Sequence, residues 1–453
     1  MQTVALTPLE DAIKRLSQQL ECLSIPEHPT LVQLQVKLST TQALPWLNEQ
    51  VEFPKLYWQS RDHQTEAAIS GSVDTWWLDQ ACANKATWRR HQTHSEQLDW
   101  RYYGGHGFTL GDPRVTEMGG NRLYLPKHEF RRQGDQHWLL FYVAIEPSQW
   151  RAQIRKAQAE LNNLKAPAPL RAPTLSVSQQ EHQPDYSGWE QLVENLTQAQ
   201  QQLEIPKVVL CRETKLTTEH SPNCWQLLQT WQRQQPHCYH FGIQTNEHSS
   251  FFGCSPERLF HRQQQHLQTE ALAGTCSRHQ DAAQTARMAD QLMQDQKNIL
   301  ENRLVADDIQ QQLTPLTEHL SIESPAHLVE LTQVSHLCRD IHAQLKANVS
   351  DQDLLQALHP TAAVGGLPRQ SAQQYLIKHE PVKRGWYAGV FGMVGDESSE
   401  YCVTIRSIQQ HNRELSLYTG AGIVEGSEPC SEWHELNSKL ASAMAVVQPA
   451  YHE

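Results

Sequence analysis

The chain has 453 residues, 39% hydrophobic and 19% charged, a globular composition with enough apolar side chain for one large or two medium domains. Its 50 acidic against 38 basic residues give a net charge of −12, which argues against nucleic acid or an anionic membrane as a bulk partner, since either needs a basic face. The ten cysteines stand singly with no CxxC pair, so a disulfide framework or a thiolate zinc site is not expected. The start, MQTVALTPLEDAIKRL, reads as an amphipathic helix and not as a leader, and no run approaches the ~18 apolar residues of a membrane span. The expected protein is soluble and cytoplasmic.

Residues 1 to about 160 alternate short strand-like runs, such as Leu31 to Val36, with aromatic-rich turns. His137 to Ile145 has few polar interruptions and reads as a central strand. A helix over Trp150 to Leu164 follows. The composition then shifts to Pro, Ser and Gln over about 166–186, which reads as an exposed connector ending an N-terminal part (1–186) before a catalytic region (187–449). Beyond it come a helix over Gly188 to Glu204 and a strand opening at Lys207. The stretch from about Gln280 to Leu313 is the longest helical pattern, its apolar residues recurring at three- and four-residue steps with no Pro or Gly. A helix near Asp351 to Leu358 precedes strands over Gly385 to Val394, Tyr401 to Gln409 and Glu414 to Thr419. The last helix runs from about Pro429 to Val447, with Glu432, Glu435 and Lys439 sharing one edge of its apolar stripe. Antiparallel-looking strands with segregated helices predict an α+β fold.

Several strands spend positions on ionisable residues, which is costly in a buried strand unless the charge is paired or neutralised. Lys207 opens KVVLCRETKL, Glu257 sits in FFGCSPERLF, and Arg406 lies in YCVTIRS. Each has an ordinary reading taken alone: Lys207 as a strand-edge lysine reaching solvent, Glu257 as a turn residue, and Glu301, Glu432 and Glu435 as solvated helix faces. Gly420-Ala421-Gly422 reads as a turn between strand and helix. Its third glycine, Gly426, falls one position late for a dinucleotide fingerprint, but the turn's amides could form an anion-binding nest. The pairs His91/His94, His261/His266 and His336/His342 lack metal-ligand spacing and read as surface or packing residues. His359, followed by a loop of small residues, is a candidate cavity residue or a helix C-cap.

Taken together, FFGCSPERLF, TEALAGTCSR, DQKNILENRLVADDI, HLVELTQVSHL, ALHPTAAVGGLPR, GWYAGVFG, TIRS and YTGAGIVEGSEPCSEWHELNSK resemble the chorismate-utilising enzymes, among them isochorismate synthase, salicylate synthase and the first components of anthranilate and aminodeoxychorismate synthase. The resemblance covers about 187–449 strongly and the N-terminal part more loosely, chiefly through Leu125-Pro126-Lys127-His128-Glu129-Phe130. It implies a single large fold like that of anthranilate synthase component I, with layered antiparallel sheets flanked by helices. The aminating members carry a lysine in a PIKGT-like motif and none on the strand matched by Lys207. This chain has Leu272-Ala273-Gly274-Thr275 and does have Lys207, the pattern of the water-using members, and its N-terminal part and KVVLCR strand resemble the menaquinone-pathway form.

By that resemblance Lys207 is the base that activates water, and Glu257 the acid that protonates the departing C4 hydroxyl of chorismate. A base must be neutral, so Lys207 needs a lowered pKa. Arg406 and Tyr387 match positions that hold the enolpyruvyl carboxylate, while Lys439 and Gly420, Ala421 and Gly422 match those near the ring carboxylate. Ala273, Gly274, Thr275 and His359 complete the expected substrate shell. Glu301 and Glu435 are the implied Mg2+ ligands, with Glu432 acting through water, an all-oxygen set that suits this ion. The implied activity is isochorismate synthesis for menaquinone or a siderophore. Salicylate synthase, an aminating component or a non-catalytic chorismate-binding protein are the alternatives. No glutaminase subunit is expected, and the chain is a monomer or a homodimer.

Overall fold

The computed structural model describes residues 8–24, 26–78, 89–91, 98–109, 115, 118, 120–278, 281–330 and 334–448. The first seven residues, His94, the helix start near Gln280 and residue 449, all read above, lie outside the described residues. Among those described, the strands form one continuous network of antiparallel pairs, with a single parallel pair between Thr30–Leu38 and Arg89–His91. The expected α+β architecture of sheets flanked by helices is what the chain adopts.

The long strand Arg122–Gln133 is the branch point of this network, because each of its edges starts a separate arm. One edge pairs with Thr65–Trp77, and the ladder continues through Lys55–Gln59, Tyr239–Gln244, Ser249–Ser255, Ser407–His411 and Glu414–Val424 to Lys207–Thr218. The other edge pairs with Gln136–Ile145 and, through Tyr102–His106, runs on to Val390–Val394, Ser398–Val403, Arg258–Gln263, His266–Ser277 and Val334–Leu345. An aromatic core fills the space between the arms, with Trp58 stacked on Tyr239 at 5.4 Å and Phe241 on Phe391 at 5.5 Å. The strand Gln136–Ile145 is paired on both edges, as its apolar run requires.

Four local readings are corrected by the structure. The helical stretch after Gln280 is two helices, Ala282–Gln294 and Gln296–Leu313, because Asp295 is extended (φ −72°, ψ 113°) and its carboxylate caps the second helix by accepting from Asn298 N at 2.8 Å. The break takes the stripe out of phase, and Met293 and Leu300 face solvent. The connector ends early, since Val177–Gln183 is a mostly exposed edge strand paired with Lys207–Thr218. The strand expected over Tyr401 to Gln409 is interrupted at 404–406, where Arg406 has φ +47°. Finally, residues 420–422 are no turn: Glu414–Val424 stays a strand throughout, with Gly420 opposite Cys211 and Gly422 opposite Val209. Amides committed to a ladder form no anion nest.

One buried side chain ties the second arm to the helix that covers it. Asn302, fully buried, donates through Nδ2 to the carbonyls of Ala271 (2.9 Å), Ala273 (3.3 Å) and Leu337 (3.1 Å), and its Oδ1 accepts from Arg339 Nε at 2.9 Å. The bonds bracket a bulge between Leu272 and Thr275, where the register slips against the partner strand. Removing this donor leaves buried acceptors unsatisfied, so Asn302→Ala is expected to cost about 2 kcal/mol in a denaturant titration with unchanged slope. A loss below about 0.5 kcal/mol would show that the bulge holds without it.

Candidate active site

The two arms end facing each other, and the ionisable residues of both lie between them. Val209 and the strand residues Tyr418 to Gly420 and Gly422 line a cavity from the first arm, and Leu272 to Thr275 with His336 line it from the second. Glu301 enters from the helix Gln296–Leu313, Glu435 and Lys439 from the helix Pro429–Val447, and Glu257, Tyr387 and Arg406 from the loops between strands. This space holds about 90 Å³, whereas a neighbouring cavity of about 640 Å³ contains none of these groups. The chemistry belongs to the smaller one, where acids and bases converge.

Lys207 sits behind the cavity wall, fully buried, and donates to Glu301 Oε1 at 2.8 Å. It reaches that contact because Gly422 has no side chain. A Cβ there would lie 2.8 Å from Glu301 Oε1 and 3.1 Å from Lys207 Cε. Gly420 plays the same part for Tyr387, whose hydroxyl lies 2.9 Å from where a Cβ would stand. The glycine spacing therefore serves close approach, not backbone conformation. Burial pushes the Glu301 carboxyl up, but the Lys207 ammonium beside it holds it below its ordinary value.

Glu257 lies between the strands Ser249–Ser255 and Arg258–Gln263 with only 5% of its surface exposed. Burial first, and then the Glu270 charge, push its carboxyl up to about 8, against the opposing pull of Lys207, Lys439 and a Thr361 hydrogen bond. At neutral pH it is a protonated acid, able to donate. On the opposite wall Arg406 is held at 3.2 Å from His336 Nε2. Because a guanidinium only donates, His336 carries its proton on Nδ1, 2.9 Å from Thr275 Oγ1. Burial keeps the His336 ring well below its ordinary pKa and so neutral. Among the described residues no carboxylate neutralises Arg406, and burial pulls its pKa down. A buried cation left in this state suits an anionic ligand.

The three helix glutamates are each held by a lysine. Glu301 accepts from Lys207, Glu435 from Lys439 at 2.7 Å, and buried Glu432 from Lys297 at 3.1 Å. Their oxygens are accordingly not gathered as closely as the ligand atoms of His327, Cys338 and Asp340, which lie within 4.8 Å of one another. The electrostatics nonetheless tie them together: Lys297 responds to all three, and burial with the Glu435 charge raises the Glu432 carboxyl. Three carboxylates whose charges oppose one another form an all-oxygen donor set that fits a hard divalent cation in competition with the lysines.

Other expected residues fall elsewhere. Ala421 points into the core, away from the cavity lining. His359 lines the larger cavity, where its Nε2 donates to Ala388 O at 2.8 Å and its ring meets His106 at 4.7 Å. It is also the C-cap of the helix Asp351–Leu358, so the cap reading is the one it fulfils. His336, Asn298 and Lys297 belong to the site without having been singled out. His336 faces Thr275 only through the register of two strands about 60 residues apart in sequence, which no local pattern announces. Asn298 accepts from Thr275 N at 3.3 Å and packs against Gly274, whose φ of +85° completes the bulge.

The raised Glu257 carboxyl has a stability consequence. Its folded value of about 8 lies above the ordinary 4.5, so the stabilisation it contributes is complete below pH 4.5 and is lost as pH rises through 8. Glu257→Gln cannot ionise and is expected to gain thermal stability relative to wild type between pH 5 and pH 9. A constant difference across that range would show that Glu257 is ionised in the fold.

With this geometry established, comparison with known proteins is informative. Residues 16–448 match the family of chorismate binding enzymes. The chain is 36% identical over 446 residues to isochorismate synthase MenF of Escherichia coli K12, covering 98% of each. It is 32% identical over 349 residues to the salicylate biosynthesis isochorismate synthase of Pseudomonas aeruginosa, covering 76% of this chain and 73% of that one. The solved structure of MenF, the menaquinone-specific isochorismate synthase from Escherichia coli, superposes with a TM-score of 0.87 at 35% identity over 98% of this chain and all of the other. Anthranilate synthase component I from Streptococcus pneumoniae shares the fold at a TM-score of 0.61 and 17% identity, covering 99% and 95%. The chain belongs to the chorismate-binding enzyme family.

Proposed function

We propose that this protein is an isochorismate synthase that converts chorismate to isochorismate for menaquinone biosynthesis. The observation that carries this reading is the pairing, around one cavity, of a protonated acid at Glu257 and a buried lysine at 207, with only the methyl group of Ala273 on the wall where a longer side chain would displace water. Water attacks ring C2 and gives its proton to Lys207, the ring double bonds shift by one place, and the C4 oxygen leaves with the proton of Glu257. Solvent then returns the proton from Lys207 to Glu257, so the sum is an isomerisation. The Glu301 contact orients Lys207 Nζ, which acts as a base only after losing its own proton.

Arg406, steered by neutral His336, and Tyr387 are placed to hold one substrate carboxylate, and Lys439 to hold the other. Lys439 is anchored to Gly420 O at 2.9 Å, and the Glu435 charge, outweighing burial, raises its pKa and keeps it an ammonium. A Mg2+ ion held by Glu301 and Glu435, with Glu432 through water, supplies charge neutralisation beside the ring carboxylate. The enzyme works as a monomer or homodimer in the cytoplasm, without a glutaminase subunit.

Chromatography after incubation with chorismate and Mg2+ tests the reading, with isochorismate as the sole expected product and excess chelator abolishing it. Salicylate with pyruvate, or an ammonia-dependent amine, contradicts it. Lys207→Ala is expected to lower kcat by about 10²-fold or more while chorismate still binds. Near-wild-type turnover of that variant removes Lys207 from the base role.

A further inference from the structure

The peptide that carries Glu257 is gripped from both sides by one ion pair that the proposed chemistry does not use. Arg61, in the turn after strand Lys55–Gln59, donates through Nη1 to Pro256 O at 2.7 Å. The same guanidinium forks onto Glu270, Nη1 to Oε1 at 2.9 Å and Nη2 to Oε2 at 2.7 Å. Glu270 Oε1 in turn accepts from Arg258 N at 2.9 Å. The residue before Glu257 and the residue after it are thus bonded to opposite halves of a single salt bridge. The Glu257 peptide itself is closed by its N–H to Ser255 Oγ at 3.2 Å and by its carbonyl to Val403 N at 3.1 Å.

Nothing about the fold requires a charged pair here. Glu270 has a side chain 1% exposed on a strand whose next residues are Ala271 and Leu272, and it opposes Asp340 in register. Burying such a pair gains little over an apolar pair of the same volume, so its retention points to a positional task. Arg61 also lies 5.7 Å from the centroid of the Tyr239 ring, and the Tyr239 hydroxyl accepts from Arg258 Nε at 2.9 Å, which fixes the outward side chain next to Glu257 as well.

We infer that Arg61 and Glu270 are positioning residues for Glu257: the ion pair fixes the peptide that aims the acid, and the Glu270 carboxylate sets the electrostatic environment in which the acid keeps its proton. The inference rests on Glu257 being the acid of the proposed reaction. It gives the N-terminal part of the chain a role in catalysis, because Arg61 enters the site only through the pairing of Lys55–Gln59 with Tyr239–Gln244.

The charged and titratable groups that face Glu257 are Glu270 from the strand His266–Ser277, Lys207 from the first arm, Lys439 from the C-terminal helix, and Tyr387 and Cys402. The two lysines favour its ionised form and Glu270 opposes it. Removing the Glu270 charge therefore makes Glu257 ionise more easily, and the acid is lost at a lower pH.

The test is the pH dependence of kcat for Glu270→Gln, with thermal unfolding as the control for folding. The expected result is an alkaline limb displaced to lower pH by about one unit, a fall in kcat of about 10-fold, and a KM within about 2-fold of wild type. In a Glu257→Gln background the same substitution is expected to change the residual kcat by less than about 2-fold, because the residues act as one unit. Arg61→Lys keeps the charge but cannot fork onto Glu270 and hold Pro256 O together, so kcat falls while the limb stays in place. That milder variant carries the test alone if Glu270→Gln fails to fold, and an unchanged kcat in it overturns the inference. An inactive Glu257→Gln beside an unmoved limb in folded Glu270→Gln overturns the inference by itself. Near-wild-type turnover of Glu257→Gln overturns the acid reading and the inference with it.

Discussion

The rest of the site depends on the buried contact between Lys207 and Glu301. A lysine enclosed at the end of a strand is tolerable only if a carboxylate meets it, and that carboxylate comes from a helix some 90 residues later in the chain. The contact can form only where the neighbouring strand has no side chain, which fixes Gly422. Gly422 in turn needs the register that places it opposite Val209, one step from Lys207 on the same face. Helix, glycine and strand register are therefore one constraint expressed three times.

Charge balance extends the same logic around the cavity. Glu301, Glu432 and Glu435 meet Lys207, Lys439 and Lys297 one for one, so the acidic edge is neutral without a cation and open to exchange with one. Glu257 and Arg406 stand outside this balance. The acid is neutralised by its own proton, and the guanidinium has only a neutral imidazole against it. A dianionic substrate completes what the protein leaves incomplete, the arrangement expected of a binding site and not of a structural network.

Much of this was legible in the sequence because charge inside an apolar strand is rarely accidental. Lys207, Glu257 and Arg406 announced themselves in that way, and the edge shared by Glu432, Glu435 and Lys439 followed from helical spacing. Other features were hidden by physics that local pattern does not carry. Asp295 breaks a helix without Pro or Gly, using a cap geometry that looks like an ordinary polar position. The glycines at 420 and 422 suggested a turn, but their purpose is set by side chains on another strand and another helix. His336 and the Arg61–Glu270 pair depend on strand register across long separations, so no short window contains both partners. His359 looked like a cavity residue and is one, but the peptide that follows it, not its ring, borders the site.

The central claim is that water, not ammonia and not the substrate's own hydroxyl, supplies the new oxygen. Mass spectrometry of the product formed in 18O-labelled water with ammonium present measures this directly. The account predicts isochorismate carrying one 18O atom at ring C2 and no aminated product. Isochorismate that retains only the oxygens of chorismate, or a 2-amino product formed at a comparable rate, would contradict it.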